Sequence, residues 1–310
     1  MIWEDKMNKV GYFFKNTWKH RAHVVMALPV FIILMLFNYI PMGGLIMAFK
    51  RYDYSAGIWA SPFNGIDNFK FLLASKATFI NMTKNTLMYY VIFTVLGTLL
   101  NVALAIAIDQ FIIKQAAKVM QTLMIIPVFI SYAAVQFIVF AFISKDTGII
   151  NNLFGTSYRF YSQANYWPVI LTIVKIWNSV GYGSVLYMSV LAGIDQELYE
   201  AAEIDGANKW QQIFHITIPS LVPMITVMLL LSVGNIMRSD TGLFYQVTRN
   251  NGALYSTTQV IDSYVLNSIL GTPNYGFVAA TTLFQSVVGL LLMLLANGVV
   301  RKIAPGDALF

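Results

Sequence analysis

The sequence contains no cysteine, which excludes disulfide bridges, thiolate metal sites and cysteine nucleophiles. Histidine is nearly as scarce, because only His20, His23 and His215 occur among the 310 residues. A histidine metal site requires further ligands close by, and no such cluster accompanies these three residues in the sequence. We therefore expect neither a metal nor a cofactor to be bound by this chain.

Charged residues are also few. They make up 11% of the chain, whereas 57% is hydrophobic, and soluble domains carry about 25% charged residues. The mean hydropathy is +0.64, and the apolar residues form long runs. Because too few polar residues remain to cover a globule of this size, a lipid bilayer is the expected solvent. The net charge of +6 fits charge at a membrane surface, and we expect no nucleic-acid partner.

Six apolar runs are long enough to cross the hydrocarbon, for which a helix needs about 20 residues. They cover residues 24–49, 87–108, 119–143, 168–194, 216–237 and 277–300. Backbone groups in lipid must be hydrogen-bonded within their own segment, which favours helices, and the alternating strands of a barrel do not appear. We predict an all-α integral membrane protein with six transmembrane helices in one domain over residues 24–300.

Residues 1–23 combine basic and aromatic side chains. The basic ones are Lys6, Lys9, Lys15, Lys19 and Arg21, and the aromatic ones include Tyr12, Phe13, Phe14 and Trp18. We predict a cytoplasmic amphipathic segment on the membrane surface rather than a cleaved signal peptide, with a disordered basic tail as the alternative. A basic N-terminus favours the cytoplasmic side, and six spans then return residues 301–310 to the cytoplasm as a tail.

The segment between the fourth and fifth runs, residues 195–215, has the pattern of two short helices. We expect Asp195 to cap the first helix and Gly206 to end it in a left-handed conformation. Leu198, Ala201 and Ala202 share one face at helical spacing, beside a stripe of glutamates. The pattern fits a docking surface for a partner, and it also fits an amphipathic loop resting on the membrane.

This segment also resembles a known motif. Glu200-Ala201-Ala202, then three residues, Gly206, nine residues and Ile216-Thr217-Ile218-Pro219 resemble the EAA loop in permeases of binding-protein-dependent ABC importers. Both spacings match, and Ile218 replaces the usual leucine. The stretch Ile204-Asp205-Gly206-Ala207 is similar to the carbohydrate-uptake branch. Residues 37–41, 242–247 and 260–264 look like the polysaccharide and aldouronate-type permeases of that branch.

The resemblance implies the fold of a type I ABC importer permease, with residues 195–215 as a cytoplasmic loop that couples to an ATPase. The implied coupling residues are Glu200, Ala201, Ala202, Asp205, Gly206, Ala207, Ile216 and Pro219. The implied partners are two ABC ATPase subunits, a second homologous permease and an extracellular solute-binding protein at a bacterial plasma membrane. Because the chain has no Gly-x-x-x-x-Gly-Lys-Ser/Thr phosphate loop, we expect no enzyme activity in it and assign ATP and magnesium to the ATPase.

Polar and aromatic side chains within the spans are candidate substrate contacts, because burying them in lipid is costly. The candidates are Lys175, Trp177, Asn178, Tyr182 and Tyr187 in the fourth run and Asn235 in the fifth. Rings can stack on the apolar faces of sugars, while amides and charges pair with hydroxyl groups. Lys175 admits three interpretations: a substrate contact, a helix–helix partner, or a side chain that reaches the outer interface. Asn235 and Gln285 also fit interhelical hydrogen bonds.

Oligosaccharide import by alternating access is the preferred function, and two alternatives remain. The first is an importer permease for a non-sugar solute such as an amino acid or a peptide. The second is a membrane-embedded enzyme or a non-transporting scaffold. An enzyme would need converging acids, histidines or a metal site within the spans, and a scaffold would not need the EAA spacing.

The loop of residues 238–276 is expected outside the cell, with a short helix at residues 260–266.

Overall fold

The computed structural model describes residues 20–70, 76–111, 113–271 and 273–309. The amphipathic segment predicted at residues 1–23 lies almost entirely outside these described residues. Regular structure in the described chain is helical, and its β-type pairing is limited to an isolated bridge between Lys50 and Phe63. The all-α fold predicted from composition is confirmed.

Nine longer helices lie in the described residues. They are α1 Arg21–Phe49, α2 Lys76–Asp109, α3 Lys114–Ile125, α4 Tyr132–Ile143, α5 Trp167–Leu191, α6 Gln196–Ile204, α7 Lys209–Val233, α8 Ile261–Leu270 and α9 Tyr275–Ile303. Shorter helices occur at Gly57–Ala60, Ile149–Phe154, Leu243–Val247 and Tyr255–Thr258. The five helices α1, α2, α5, α7 and α9 are each long and apolar enough to cross a membrane.

The third predicted span is not one straight helix. The chain bends by 99° between a helical segment that ends at Phe129 and α4, which begins at Tyr132. Pro127 lies in a 3-10 turn at the bend and lacks the amide that would continue the ladder. Ser131 is extended and starts the next helix. The six predicted runs therefore correspond to five continuous spans and one bent pair.

Two helices begin earlier than the apolar runs predicted. α2 starts at Lys76 rather than near residue 87, because a helix can continue through polar turns that hydropathy assigns to a loop. α7 starts at Lys209, inside the predicted coupling loop, and passes through a π-helical turn at Ile213–Thr217. Pro219 follows this wide turn and cannot donate a backbone hydrogen bond, so the altered bonding accommodates the missing donor.

The chain divides into two compact units. The first contains Met1–Phe69, described from residue 20, together with Tyr275–Ala280, and the second contains Lys70–Asn274 with Thr281–Phe310. Within the first unit, the side-chain amide of Asn68 donates to the carbonyls at the end of α1 and just after it, at 2.9–3.2 Å. The second unit holds the predicted coupling loop and every predicted pathway residue.

The second unit is organised around α5. Trp167 and Leu171 at its start are fully buried in a cluster that includes Tyr89 of α2 and Phe244. Gly181 of α5 allows close helix approach, because a Cβ at this position would overlap the backbone carbonyl of Met124 in α3. The absence of a side chain at Gly181 therefore sets how closely α5 approaches the bent span.

Candidate functional site

The first candidate region is the coupling element, residues 195–219. α6 begins at Asp195, whose side chain accepts a 3.0 Å hydrogen bond from the amide of Glu197. It ends at Gly206, which has a φ of +78°, and the amide of Ala207 then donates to the carbonyl of Ala202 at 2.8 Å. This bonding pattern is typical of a helix that stops at a left-handed glycine. The predicted cap and the predicted stop are both confirmed.

The second helix of the coupling element starts with reciprocal capping. Asn208 Oδ1 accepts from the amide of Gln211 at 3.0 Å, and Gln211 Oε1 accepts from the amide of Asn208 at 2.7 Å. Lys209 Nζ donates to Glu203 Oε1 at 2.7 Å. This hydrogen bond and charge lower the pKa of Glu203 from its ordinary value. The caps and the ion pair together fix α6 against the start of α7.

A hydroxyl contact joins the coupling element to the membrane-spanning part of α7. The Tyr199 hydroxyl lies 3.0 Å from Thr217 Oγ1, and Thr217 is buried at the π-helical turn. From there α7 continues to Val233. This contact therefore links α6 to a helix that is long and apolar enough to cross a membrane.

The coupling element also presents large apolar side chains to its surroundings. Ile204 is 86% exposed and Trp210 is 70% exposed, and the Trp210 and Phe214 rings are stacked with centroids 6.4 Å apart. Grouped apolar exposure of this kind marks interaction surfaces. The predicted coupling residues Glu200, Ala201, Asp205, Gly206 and Pro219 are exposed, and Ala202, Ala207 and Ile216 are half-buried. Most of the motif is thus accessible to a partner.

The second candidate region is a polar cleft of about 460 Å³ within the second unit. Its wall combines aromatic rings, hydroxyl groups, one amide and three charged groups. The lining residues are Thr86, Tyr89, Tyr90, Phe93, Thr94, Lys175, Ser232, Asn235, Arg238, Ser239, Asp240 and Phe244. They come from α2, from the middle of α5 and from the end of α7 with the segment that follows it.

Lys175 is paired within the chain. Its Nζ donates to Asp240 Oδ2 at 2.9 Å, and the two side chains are 26% and 31% exposed. Asp240 also accepts from the amide of Leu243 at the start of the next short helix. Of the three interpretations given for Lys175, the structure therefore shows it as a link between elements, made to a residue just beyond the fifth span.

Asn235 lines the same cleft as Lys175, but the other candidates of the fourth run lie elsewhere. Asn178 is buried and donates from Nδ2 to the carbonyl of Pro127 at 2.7 Å, which holds the bend of the third span. Tyr187 is buried in a cluster with Ala105 and Leu221. Both residues therefore have contacts that stabilise helix packing.

The remaining two predicted pathway residues face apolar or open surroundings. Trp177 lines an apolar groove between α4 and α5, and Tyr182 is 59% exposed on α5. Both residues were predicted as pathway residues because aromatic rings can stack on sugars. Helical periodicity places Trp177 on a different face of α5 from Lys175, whereas Tyr182 lies on the same face as Lys175, two turns further along the helix and outside the lining of the cleft.

Of the twelve residues that line the cleft, sequence reasoning identified only Lys175 and Asn235, and the ten that it missed include Tyr89, Tyr90, Arg238 and Asp240. One signal was available, because a lysine within a span needs an acidic partner and Asp240 is the first acid after the fifth run. The two tyrosines gave no signal, since aromatic residues are common in apolar spans. The Tyr90 hydroxyl lies 2.9 Å from Ser232 Oγ and so links α2 to α7 at the cleft.

A set of hydrogen bonds behind the cleft holds the segment that follows α7. The amide and the hydroxyl of Ser239 both donate to Asp262 Oδ2, at 2.7 Å and 2.9 Å. Gln285 of α9 donates from Nε2 to the carbonyl of Met237 at 2.6 Å. The interhelical hydrogen bond considered for Gln285 is confirmed.

Comparison with known proteins identifies the family to which this chain belongs. Residues 97–305, which include the coupling element and most of the cleft, match the family described as binding-protein-dependent transport system inner membrane component. The chain belongs to this family. It is 30% identical over 282 residues to the polygalacturonan/rhamnogalacturonan transport system permease protein YteP of Bacillus subtilis (strain 168), which covers 90% of this chain and 87% of that protein.

Solved structures show the same fold. One is a crystal structure of a bacterial ABC transporter involved in the import of the acidic polysaccharide alginate, with 31% identity, a TM-score of 0.84 and coverage of 94% of this chain and 99% of that chain. Another is a bacterial alginate ABC transporter in complex with an alginate pentasaccharide-bound periplasmic protein, with 32% identity, a TM-score of 0.83 and coverage of 94% and 97%. This permease is thus a multi-pass membrane subunit of an ABC importer, as the EAA resemblance implied.

Proposed function

We propose that this permease forms half of the transmembrane pathway for an oligosaccharide and that the polar cleft is part of that pathway. The observation that carries the proposal is the composition of the cleft wall. The partly exposed rings of Tyr90 and Phe93 share one cavity with the amide of Asn235 and with charged side chains. A pathway for an apolar solute would not need this density of hydrogen-bonding groups.

The chemistry of a sugar matches this wall. The C–H faces of a sugar ring stack on aromatic side chains, while its hydroxyl groups need donors and acceptors. The cleft volume of about 460 Å³ lies within the range of about 300–1,000 Å³ found for small-molecule sites. It can hold only part of an oligosaccharide, which supports the presence of a second permease that completes the pathway.

The similar proteins favour an acidic saccharide. YteP is described as transporting polygalacturonan and rhamnogalacturonan, and the similar solved transporter imports alginate, which is described as an acidic polysaccharide. The resemblance noted to aldouronate-type permeases agrees with this class. We therefore propose that the substrate of this chain is an acidic oligosaccharide.

The proposed assembly contains two ABC ATPase subunits, one of which receives the coupling element of this chain. A second homologous permease lies beside this one, and an extracellular solute-binding protein docks at the outer loops. The exposed Ile204 and Trp210 support the ATPase contact. The family description names a binding protein, and a similar transporter was solved with one. We place the chain in a bacterial plasma membrane with both termini and the coupling element in the cytoplasm, and we assign ATP hydrolysis with magnesium to the ATPase.

The proposed mechanism is mechanical. Nucleotide binding moves the ATPase, α6 follows through the motif residues Glu200, Ala201 and Ala202, and the Tyr199–Thr217 contact passes the movement to α7. α7 carries Ser232 and leads into Asn235, so the cleft wall shifts with it. Import then follows from a change in the populations of outward-open and inward-open states.

The test is uptake in cells that lack this permease. Cells without the chain should fail to accumulate a radiolabelled oligogalacturonate, and a plasmid copy should restore uptake. Mild-detergent purification of the tagged chain should recover an ATPase, a second permease and a binding protein. Unchanged oligosaccharide uptake combined with a lost amino acid or peptide uptake would replace the proposal with the non-sugar alternative.

A further inference from the structure

Arg238 is a cation in the polar cleft that has no counter-ion among the residues that the structure describes. It lies just beyond the end of α7, where its amide donates to the carbonyl of Asn235 at 2.9 Å. Its Nη2 donates to Ser286 Oγ at 3.2 Å, a neutral contact. Among the residues that the structure describes, none of the ion pairs involves Arg238. Its side chain is exposed to the cleft rather than buried.

Lys175, the other cation in the cleft, is in a different position. Its charge is neutralised by Asp240 at 2.9 Å. A substrate carboxylate would have to displace Asp240 to bind Lys175, which would leave that aspartate without its partner. The charges of Lys175 and Asp240 cancel, so Arg238 supplies the net positive charge of the cleft wall.

The surroundings of Arg238 hold it in place. Ser239 is tied through its amide and its hydroxyl to Asp262, whose carboxylate also receives the side chain of Gln285 at 3.3 Å. The carboxylate of Asp262 is thereby hydrogen-bonded to neutral donors from Ser239 and Gln285. These contacts fix the backbone next to Arg238, so the guanidinium projects from a defined point of the wall.

The neighbouring groups suit a sugar that carries a carboxylate. A guanidinium presents a planar set of donors that can bind both oxygens of a carboxylate at once. Asn235 and the Tyr90–Ser232 hydroxyl pair offer donors and acceptors to the hydroxyl groups of the same sugar. Aromatic rings of α2 offer a stacking surface in the same cavity.

We propose that Arg238 forms a carboxylate-binding site in the cleft, which selects uronate-containing saccharides over neutral ones. This inference rests on the proposed function and deepens it, because it assigns charge discrimination to Arg238 and gives Lys175 a structural role. The site binds the carboxylate during passage, with Asn235 as the neighbouring hydroxyl contact.

The experiment uses the complete permease–ATPase complex in nanodiscs, without binding protein, so that the binding protein's own selectivity does not enter. Trigalacturonate and its carboxyl-reduced counterpart are titrated by calorimetry against the wild type, Arg238→Gln, Arg238→Lys and the double variant Lys175→Met with Asp240→Asn. A charge-assisted contact is worth about 10- to 100-fold in affinity. Wild type should prefer the acidic trisaccharide by at least about tenfold.

The variants should distinguish the role of Arg238 from that of Lys175. Arg238→Gln should abolish the preference, because affinity for the acidic trisaccharide should fall by about tenfold or more relative to that for the reduced one. Arg238→Lys should keep part of the preference, and the double variant should retain it. A preference that survives in Arg238→Gln, or one lost in the double variant alone, overturns the assignment. Absence of binding in wild type overturns the site even if cells import oligogalacturonate, in which case the proposed function stands. If cells import neither saccharide, the proposed function fails and the carboxylate site fails with it.

Discussion

The coupling element and the polar cleft are built in opposite ways. Contacts that shape the coupling element join residues close in sequence, such as Asp195 with Glu197 and Asn208 with Gln211. The contact that defines the cleft joins Lys175 to Asp240, which are 65 positions apart. Local contacts persist when helices move against each other, whereas distant ones depend on how the helices are arranged. The first region is suited to transmit a movement and the second to respond to it.

The two regions also differ in the kind of side chain that has no partner among the described residues. On the coupling element, apolar side chains such as Ile204 and Trp210 are exposed and require a covering surface. In the cleft, Arg238 forms no ion pair with the residues that the structure describes. An apolar surface fits a partner that stays in contact through the transport cycle, and a charged group fits a ligand that must bind and leave.

The largest effect should come from Gly206→Val. Gly206 has a φ of +78°, and a β-branched residue in this conformation costs about 1–2 kcal/mol or more. The end of α6 should therefore unwind or shift, which would weaken the proposed contact between the ATPase and the motif. We expect oligosaccharide import to fall by at least about tenfold in reconstituted vesicles, while trigalacturonate binding to the cleft is kept.

Gly206→Asn is the matched control, because asparagine tolerates the left-handed conformation better than other side chains. It should import at close to the wild-type rate. Normal import by the valine variant would show that the turn is not needed for coupling. Loss of cleft binding in that variant would show that the two regions are not separable.

Lys175→Met should have the next largest effect. It leaves the Asp240 carboxylate without its partner at a site where both side chains are about one-third exposed or less. Removing one member of such a pair costs about 1–3 kcal/mol, with solvent access favouring the lower end. We expect a lower thermal unfolding temperature of the purified complex and slower import.

Adding Asp240→Asn to Lys175→Met removes the unpaired charge and keeps an acceptor for the amide of Leu243. The double variant should recover most of the lost unfolding temperature. If it is no more stable than the single variant, the ion pair does not hold α5 to the segment after α7. The cleft would then depend less on distant contacts than its geometry indicates.

The same difference decides what could be predicted from the sequence. The cap at Asp195 and the stop at Gly206 depend on neighbouring residues, so the sequence contains their cause. The pairing of Lys175 with Asp240 depends on how α5 packs beside the end of α7, which no short pattern specifies. The 99° break of the third span was not predicted, because it combines Pro127 with the extended Ser131 and the buried amide of Asn178, and the amide comes from a different helix.

Helix existence was likewise easier to predict than helix ends. Apolar runs identify the lipid-crossing portion of α2 and α7, but both helices extend beyond the hydrocarbon. Lys76 starts α2 and Lys209 starts α7, and charged residues of this kind are counted against a span by hydropathy. The first turns of both helices therefore lie in segments that the apolar runs leave outside the predicted spans.

Tyr199→Phe tests the link between the two regions and should have a smaller effect. It removes the hydroxyl that lies 3.0 Å from Thr217 Oγ1 and keeps the ring. The loss of one hydrogen bond predicts a reduction of import by about two- to fivefold at unchanged trigalacturonate affinity. Tyr166→Phe is the control, because the Tyr166 hydroxyl forms no hydrogen bond with the residues that the structure describes and its ring contacts remain. Equal import by both variants would exclude this contact as a transmission point.

Glu203→Gln should have the smallest effect, since the pair with Lys209 is exposed on both sides and such pairs are screened by water. The Lys209 hydrogen bond lowers the pKa of Glu203 in the folded protein. Its contribution is therefore present above the ordinary glutamate pKa and is lost as the pH falls through the lowered value. The unfolding temperatures of wild type and variant should differ slightly at neutral pH and converge in acid. A difference that grows in acid would mean that the carboxylate is stabilised in its protonated form, and the ion pair would then not be what closes α6 against α7.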